Sequence, residues 1–324
     1  ILLSRQPNPD LGQRMRSMDH RLAGRQRKHD WRKADLPLIV SPVAKTLHCG
    51  DRVLSFEKPR LMGILNITPD SFYDGGTLLQ RESVALDAVR GKALAMVESG
   101  AAILDVGGES SRPGASAVSP SEEQRRVLPV LEALADLDVV LSVDTYHSET
   151  VRAAISHGAG MINDITGGRD PEVVAAVAEG EAAYALMHMQ GSPQTMQQAP
   201  KYRNVVAEVS AYLHDRFAAC RAAGIVSDRL VVDPGFGFGK TLEHNLALLR
   251  CLSDLRVESC PILVGLSRKT MIGRMTGHSV DARLPGSLAA MLIALQNGAD
   301  LVRVHDVAES VDVLRVWRTY SAQG

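Results

Sequence analysis

The chain has 324 residues, 45% of them apolar, enough for one domain of roughly 250–280 residues that buries about three-quarters of its unfolded surface. A formal net charge of −1 excludes a nucleic-acid-coating domain, which needs a basic excess, so no nucleic acid is expected as a partner. No apolar run reaches the roughly 20 residues of a membrane-crossing helix, so no membrane partner is expected either.

Residues 1–40 read differently from the rest. Cations from Arg5 to Lys33 outnumber Asp10, Asp19, Asp30 and Asp35, and the apolar residues are sparse and without period. This composition predicts a basic, flexible N-terminal tail that cannot bury enough surface to order itself. Between Thr46 and Lys58, Leu47 and Cys49 precede Gly50-Asp51, and Val53, Leu54 and Phe56 follow it, which predicts a short β-hairpin.

After Pro59 the pattern becomes regular. Apolar runs at 61–65, 103–106, 139–143, 161–162, 183–187, 230–232, 262–264 and 301–304 are near-continuous, the pattern of parallel strands covered on both faces. Helix-period segments alternate with them at 82–99, 122–137, 148–156, 171–179, 205–223, 242–252, 283–297 and 308–320. Gly100, Gly158, Gly180, Gly224 and Gly298 end several of these, and each is expected to supply a left-handed cap. Strict alternation over residues 46–320 predicts a (β/α)8 TIM barrel with an N-terminal β-hairpin. A doubly wound sheet is the alternative, but the first turn, Asn66-Ile67-Thr68-Pro69-Asp70-Ser71, lacks its usual glycine fingerprint. The cysteines, Cys49, Cys220, Cys251 and Cys260, form no CxxC pair, which suits free thiols and a cytoplasmic location.

Polar residues crowd the strand ends. Asn66 follows the first run, Asp105 and Glu109 the second, Asp144 the third, Asn163 and Asp164 the fourth, His188 the fifth and Asp233 the sixth; Ser267, Arg268 and Lys269 follow the seventh, and Arg303 and His305 end the eighth. In a barrel these points converge on one face, where active sites are built. Any one of them also reads as a cap for the next helix. Two glycine-rich loops share that face, Gly107–Gly114 and Asp233–Lys240, and Arg112 in the first suggests an anion.

These segments carry a resemblance. Leu61–Phe72 (LMGILNITPDSF) and Asp105–Gly114 (DVGGESSRPG) resemble the two signatures of the pterin-binding barrel family. Ser142–Thr145, Ile162–Ile165, Met187–Gly191, Asp233–Lys240, Gly265–Lys269 and Arg303–Val307 match it further, and together they are similar to its dihydropteroate synthase members. Ser111 stands where threonine is more usual, and Tyr73 where serine is frequent.

The resemblance implies a transferase of folate biosynthesis. It would condense 6-hydroxymethyl-7,8-dihydropterin pyrophosphate with 4-aminobenzoate, giving 7,8-dihydropteroate and pyrophosphate, with Mg²⁺ as cofactor. It implies Asp144, Asp233 and Lys269 as catalytic residues; these, with Asn163, Met187 and Gly265, would hold the pterin. Met187 reads equally as an ordinary core methionine. Asn66, Ser111, Arg112, Arg303 and His305 would hold pyrophosphate; Ser267, Phe238 and Pro113 would hold 4-aminobenzoate; Asn66 and Asp70 would hold the metal. The resemblance also implies a homodimer, with 288–295 one candidate contact. The alternatives are a corrinoid-linked pterin methyltransferase, which has no use for pyrophosphate ligands, and a non-catalytic paralogue, whose loop signatures should have decayed.

Overall fold

The computed structural model describes residues 46–67, 81–109, 117–192 and 194–322; the expected basic tail, residues 1–40, lies outside them. Among the described residues the first element is the expected hairpin, β1 (Thr46–Cys49) paired antiparallel with β2 (Arg52–Ser55) around Gly50 at φ 65°. Eight parallel strands follow: β3 (Arg60–Asn66), β4 (Ile103–Gly107), β5 (Val140–Asp144), β6 (Met161–Asp164), β7 (Ala183–Met187), β8 (Leu230–Asp233), β9 (Leu263–Gly265) and β10 (Leu301–Val304). Each pairs with its sequence neighbour except at two junctions: β10 returns to β3, and β8 meets β9 through one bridge, Val232 to Ile262. The sheet is thereby a closed (β/α)8 barrel.

Nine α-helices surround it among the described residues: α1 (Arg81–Ser99), α2 (Pro120–Leu134), α3 (Ser148–Ser156), α4 (Pro171–Glu179), α5 (Val205–Ala222), α6 (Leu242–Arg250), α7 (Thr270–Thr276), α8 (Leu284–Gln296) and α9 (Val307–Ser321). Their starts are locally encoded. Ser119, Asp170 and Asn204 each accept a backbone N–H of the first turn, and Thr241 forms a reciprocal cap with His244. Eight helices match the periodic segments; α7 is additional.

One glycine expectation is corrected. Gly100, Gly158, Gly224 and Gly298 take positive φ, but Gly180 sits at φ −108°. A side chain there would come within 2.9 Å of Ile155 Cγ2, so close packing rather than backbone handedness calls for glycine.

The strands explain why their runs are apolar throughout. Alternate residues point to opposite faces. Leu61, Leu104, Leu141, Ile162, Tyr184, Leu230, Val264 and Val302 pack outward under the helices. Met62, Ile103, Val140, Met161, Ala183, Val231, Leu263 and Leu301 fill the lower barrel interior, joined by Leu47, Cys49 and Phe56 of the hairpin region. The hairpin closes the bottom tightly: a Cβ on Gly160 would lie 2.7 Å from the Cys49 carbonyl oxygen. No described helix is long and apolar enough to cross a membrane.

Candidate active site

Two residues further along each inward row, the interior changes character. Above the apolar layer stand Asp105 on β4, Ser142 on β5, Asn163 on β6, Asp233 on β8, Gly265 on β9 and Arg303 on β10. One more step reaches Asn66, Gly107, Asp144 and Met187 at the strand ends. The period of two that builds the core therefore also delivers polar groups to the upper mouth.

Asp105 is the hub. It has no exposed surface, and accepts from Ser142 Oγ at 2.6 Å, Asn163 Nδ2 at 3.0 Å and Arg303 Nε at 2.6 Å. Arg303 donates a second bond from Nη2 to Asp144 at 2.8 Å. One guanidinium is thus shared by two carboxylates. Burial, with the nearby Asp105 charge, pushes the Asp144 carboxyl up to about 7 against the pull of Arg303. Asn163, having given its N–H to Asp105, keeps its carbonyl oxygen for another donor.

On the other side of the mouth Asp233 accepts from the Gly235 N–H at 2.7 Å. Burial raises its pKa, and Lys269 is the main opposing charge. Lys269 Nζ donates to the Phe236 carbonyl and lies 4.3 Å from the Phe238 ring centroid. Burial draws its pKa down to about 8, against the pull of Asp233. Met187 is buried in a small cluster with Ile165, Met189 and Met196, against which Tyr146 and Phe238 pack. Gly265 adds only open room, since a Cβ there would stop 4.0 Å from Arg303 Cβ.

Ser267 and His305 meet between β9 and β10, with Oγ and Nδ1 3.0 Å apart. Burial, reinforced by Arg303, draws the His305 pKa down to about 4, so at pH 7 it is a neutral ring. Asn66 converges on the same floor: a Cβ on Gly107 would lie 3.7 Å from Asn66 Oδ1 and 3.6 Å from Asp144 Cβ. Asn163, Met187, Phe238, Gly265, Ser267, Lys269, Arg303 and His305 are therefore brought to one end of the barrel with Asn66, Asp144 and Asp233. Asp70, Ser111, Arg112 and Pro113 lie outside the described residues.

Three groups at this end were not assigned a role from sequence. Asp105 was visible as a strand residue, but its place at the centre of the network depends on register. Asp164 turns out to be structural: it accepts from the Thr166 and Gly168 N–H groups and from Tyr184 Oη at 2.6 Å, bracing the turn before α4. Lys240 is buried behind the β8–α6 loop.

Among the described residues no three His, Cys, Asp or Glu side chains gather as a metal cage. Asn66 makes no side-chain hydrogen bond among them, leaving a free amide oxygen at the rim of the mouth. Such a donor fits a hard cation completed largely by ligand oxygens and water, the usual habit of Mg²⁺.

Residues 62–305 match the family model described as "Pterin binding enzyme". The chain is 49% identical over 264 residues to dihydropteroate synthase of Escherichia coli strain K12, covering 81% of this chain and 92% of that one. It superposes on Xanthomonas albilineans dihydropteroate synthase with 4-aminobenzoic acid at a TM-score of 0.79 and 48% identity, covering 86% of this chain and 98% of the other. Burkholderia cenocepacia dihydropteroate synthase complexed with 7,8-dihydropteroate gives 0.78 and 45%, covering 87% and 98%. With a polar mouth on the same barrel, the chain belongs to the pterin-binding enzymes and, among them, to the dihydropteroate synthase family of transferases.

Proposed function

We propose that this chain joins 6-hydroxymethyl-7,8-dihydropterin pyrophosphate to 4-aminobenzoate, releasing pyrophosphate and 7,8-dihydropteroate for folate biosynthesis. The observation that carries the reading is the pattern of the mouth: three carboxyl groups, Asp105, Asp144 and Asp233, against two cations, Arg303 and Lys269, in a mostly buried ring. A pterin edge presents N–H donors, which carboxylates bind about twice as strongly as neutral acceptors do. Asp233, Asp144 and the Asn163 carbonyl take those donors, and Lys269 meets the ring's acceptor atoms. Met187 packs on the ring face above open Gly265.

The bond from the pterin methylene carbon to the pyrophosphate oxygen breaks, and its electron pair leaves with pyrophosphate. Positive charge then develops on the pterin methylene, where Asp144 and Asp233 stabilise it in a water-poor site. The lone pair of the aromatic amine forms the new C–N bond, and one amine proton is released. An aniline-type nitrogen is already neutral at pH 7, so this step asks for no strong base. Phe238 packs on the aminobenzoate ring and Ser267 meets its carboxylate. Arg303 and His305 hold the pyrophosphate end; Ser111 and Arg112 for pyrophosphate, Pro113 for aminobenzoate and Asp70 for the metal rest on motif likeness alone. Bound at Asn66, Mg²⁺ would supply positive charge to the departing diphosphate.

The test is continuous pyrophosphate release in the presence of Mg²⁺, which over many turnovers should require 4-aminobenzoate and yield 7,8-dihydropteroate in equal amount. Release that ignores the amine, or none from folded protein, defeats the reading. For assembly we propose a homodimer through the outer face of α8, where Ile293 is 46% exposed while Ala290 and Met291 face inward; sedimentation of the full chain at monomer mass would refute it.

A further inference from the structure

Lys240 ends the glycine-rich loop after β8 and turns into protein, with 3% of its surface exposed. Its Nζ lies 2.9 Å from the Gly235 carbonyl, 2.9 Å from the Phe238 carbonyl and 2.9 Å from His188 Nδ1, with the His188 carbonyl at 3.2 Å. Three partners surround Nζ at one distance. An ammonium would donate to all three and require His188 to keep its proton on Nε2, whereas a neutral amine would accept from a His188 Nδ1–H, so the ring's proton position tells the two forms apart.

We infer that Lys240 is a positioning residue for the dihydropteroate-forming reaction: its buried ammonium ties the loop carrying Asp233 and Phe238 to the end of β7, and it reaches the Asp233 carboxylate through Gly235, whose carbonyl takes Lys240 and whose N–H is given to Asp233. The inference rests on the reaction proposed above. The loop has no slack. A Cβ on Gly235 would overlap the His188 carbonyl, and one on Gly239 would sit 2.6 Å from the Gln190 carbonyl oxygen. The loop therefore lies directly on the chain leaving β7, and Lys240 is the bolt between them. Phe238 gives its carbonyl to that bolt and its ring to the mouth, 4.3 Å from Lys269 Nζ.

Asp233 is faced by Lys269 from the turn after β9, by Arg303 from β10, by the Gly235 N–H at 2.7 Å and by Lys240 from its own loop. Burial works against the charge on Asp233, and each of these works for it. Burial likewise depresses Lys240, and Asp233 is the leading charge that opposes it. The two ions stabilise each other through one turn of backbone.

Lys240→Met removes the charge at nearly constant volume, and Lys240→Arg keeps it. In the full chain, the Asp233 titration, read from its carboxyl ¹³C signal assigned with Asp233→Asn, is expected to move up by about half a unit or more in Lys240→Met. The KM for the pterin pyrophosphate should rise about tenfold. Lys240→Arg should return both toward wild type. A folded Lys240→Met protein with an unmoved Asp233 titration overturns the inference, as does equal damage from both variants. Should Lys240→Met fail to fold, the ¹⁵N spectrum of wild-type His188 decides. A ring protonated on Nε2 alone at pH 5 supports the tie, and a ring protonated on Nδ1, as the neutral tautomer or the imidazolium, refutes it. Wild-type protein that makes no dihydropteroate would sink the proposed reaction, while the two spectra would still test the tie.

Discussion

The two ends of this barrel are built from the same strands and have opposite chemistry. At the lower end Met62, Ile103, Val140, Met161 and Leu301 meet Leu47 and Phe56 in a wholly apolar plug. Two residues along the same inward rows, Asp105, Asn163 and Arg303 form a buried ionic network. Apolar burial is non-directional and tolerates change gradually. The upper network is directional, and each member leaves a stranded partner when lost. The lower end should therefore govern stability and the upper end activity, with Asp105 the place where the two overlap.

Asp105→Ala is the largest expected perturbation. It leaves the Asn163 amide without its partner and takes from the Arg303 guanidinium one of its two carboxylates, Asp144 being the other, a loss of about 3 kcal/mol by analogy with broken buried ion pairs. It also frees both side chains from their orientation, so activity should fall about a hundredfold or more. Urea unfolding and the coupled pyrophosphate assay measure the two effects. An active, stable Asp105→Ala protein would mean that the network is ornamental. Next comes Leu47→Ala at the plug, expected to cost about 2–5 kcal/mol in unfolding free energy while leaving kcat and both KM values unchanged. A kinetic change in that variant would show that the ends are coupled.

The pH response sharpens the contrast further. Asp144 is held up to about 7 in the folded chain by burial, against roughly 3.9 when unfolded. Between those values the native state binds the extra proton, so this group makes stability fall as pH rises from about 4 to 7. Ionised Asp144 is also the form proposed to face the developing cation, so kcat/KM should fall as pH drops through about 7. The site therefore becomes active over the range in which this group destabilises the fold. Asp144→Asn should flatten both dependences; a retained acid limb in that variant assigns it to another group.

How far this was legible in the sequence differs between the ends. The barrel, the hairpin and the gathering of polar strand ends all follow from runs, turns and the two-residue alternation. Helix α7 did not show because Thr270–Thr276 is one short stretch with Gly273 inside it, too brief for a period. Gly273 is tolerated because the Arg283 guanidinium fills the space a side chain would take. The hub role of Asp105 was hidden because a buried carboxylate on a strand looks the same from sequence whether it faces a helix or the barrel axis. Likewise Arg303 could be read as inward-facing beside His305, but its two bonds to Asp105 and Asp144 join residues 198 and 159 positions apart. Such partners are set by closure of the barrel, which no local window contains.

Ser267→Ala should have the smallest effect of the set and the most diagnostic one. The hydroxyl pairs with His305 Nδ1 at 3.0 Å and accepts the His305 N–H at 3.3 Å, so it serves a neighbour as well as the aminobenzoate carboxylate proposed for it. Loss of one such hydrogen bond is worth about 1 kcal/mol, or roughly fivefold in an affinity. If Ser267 acts directly on the amine substrate, the KM for 4-aminobenzoate rises by that factor and the KM for the pterin pyrophosphate stays put. If it acts by steadying His305, the pattern reverses, because the imidazole is proposed for the pyrophosphate end of the substrate. Steady-state kinetics with each substrate varied in turn separates the two. The reversed result would move Ser267 from the amine pocket into the charge-handling network.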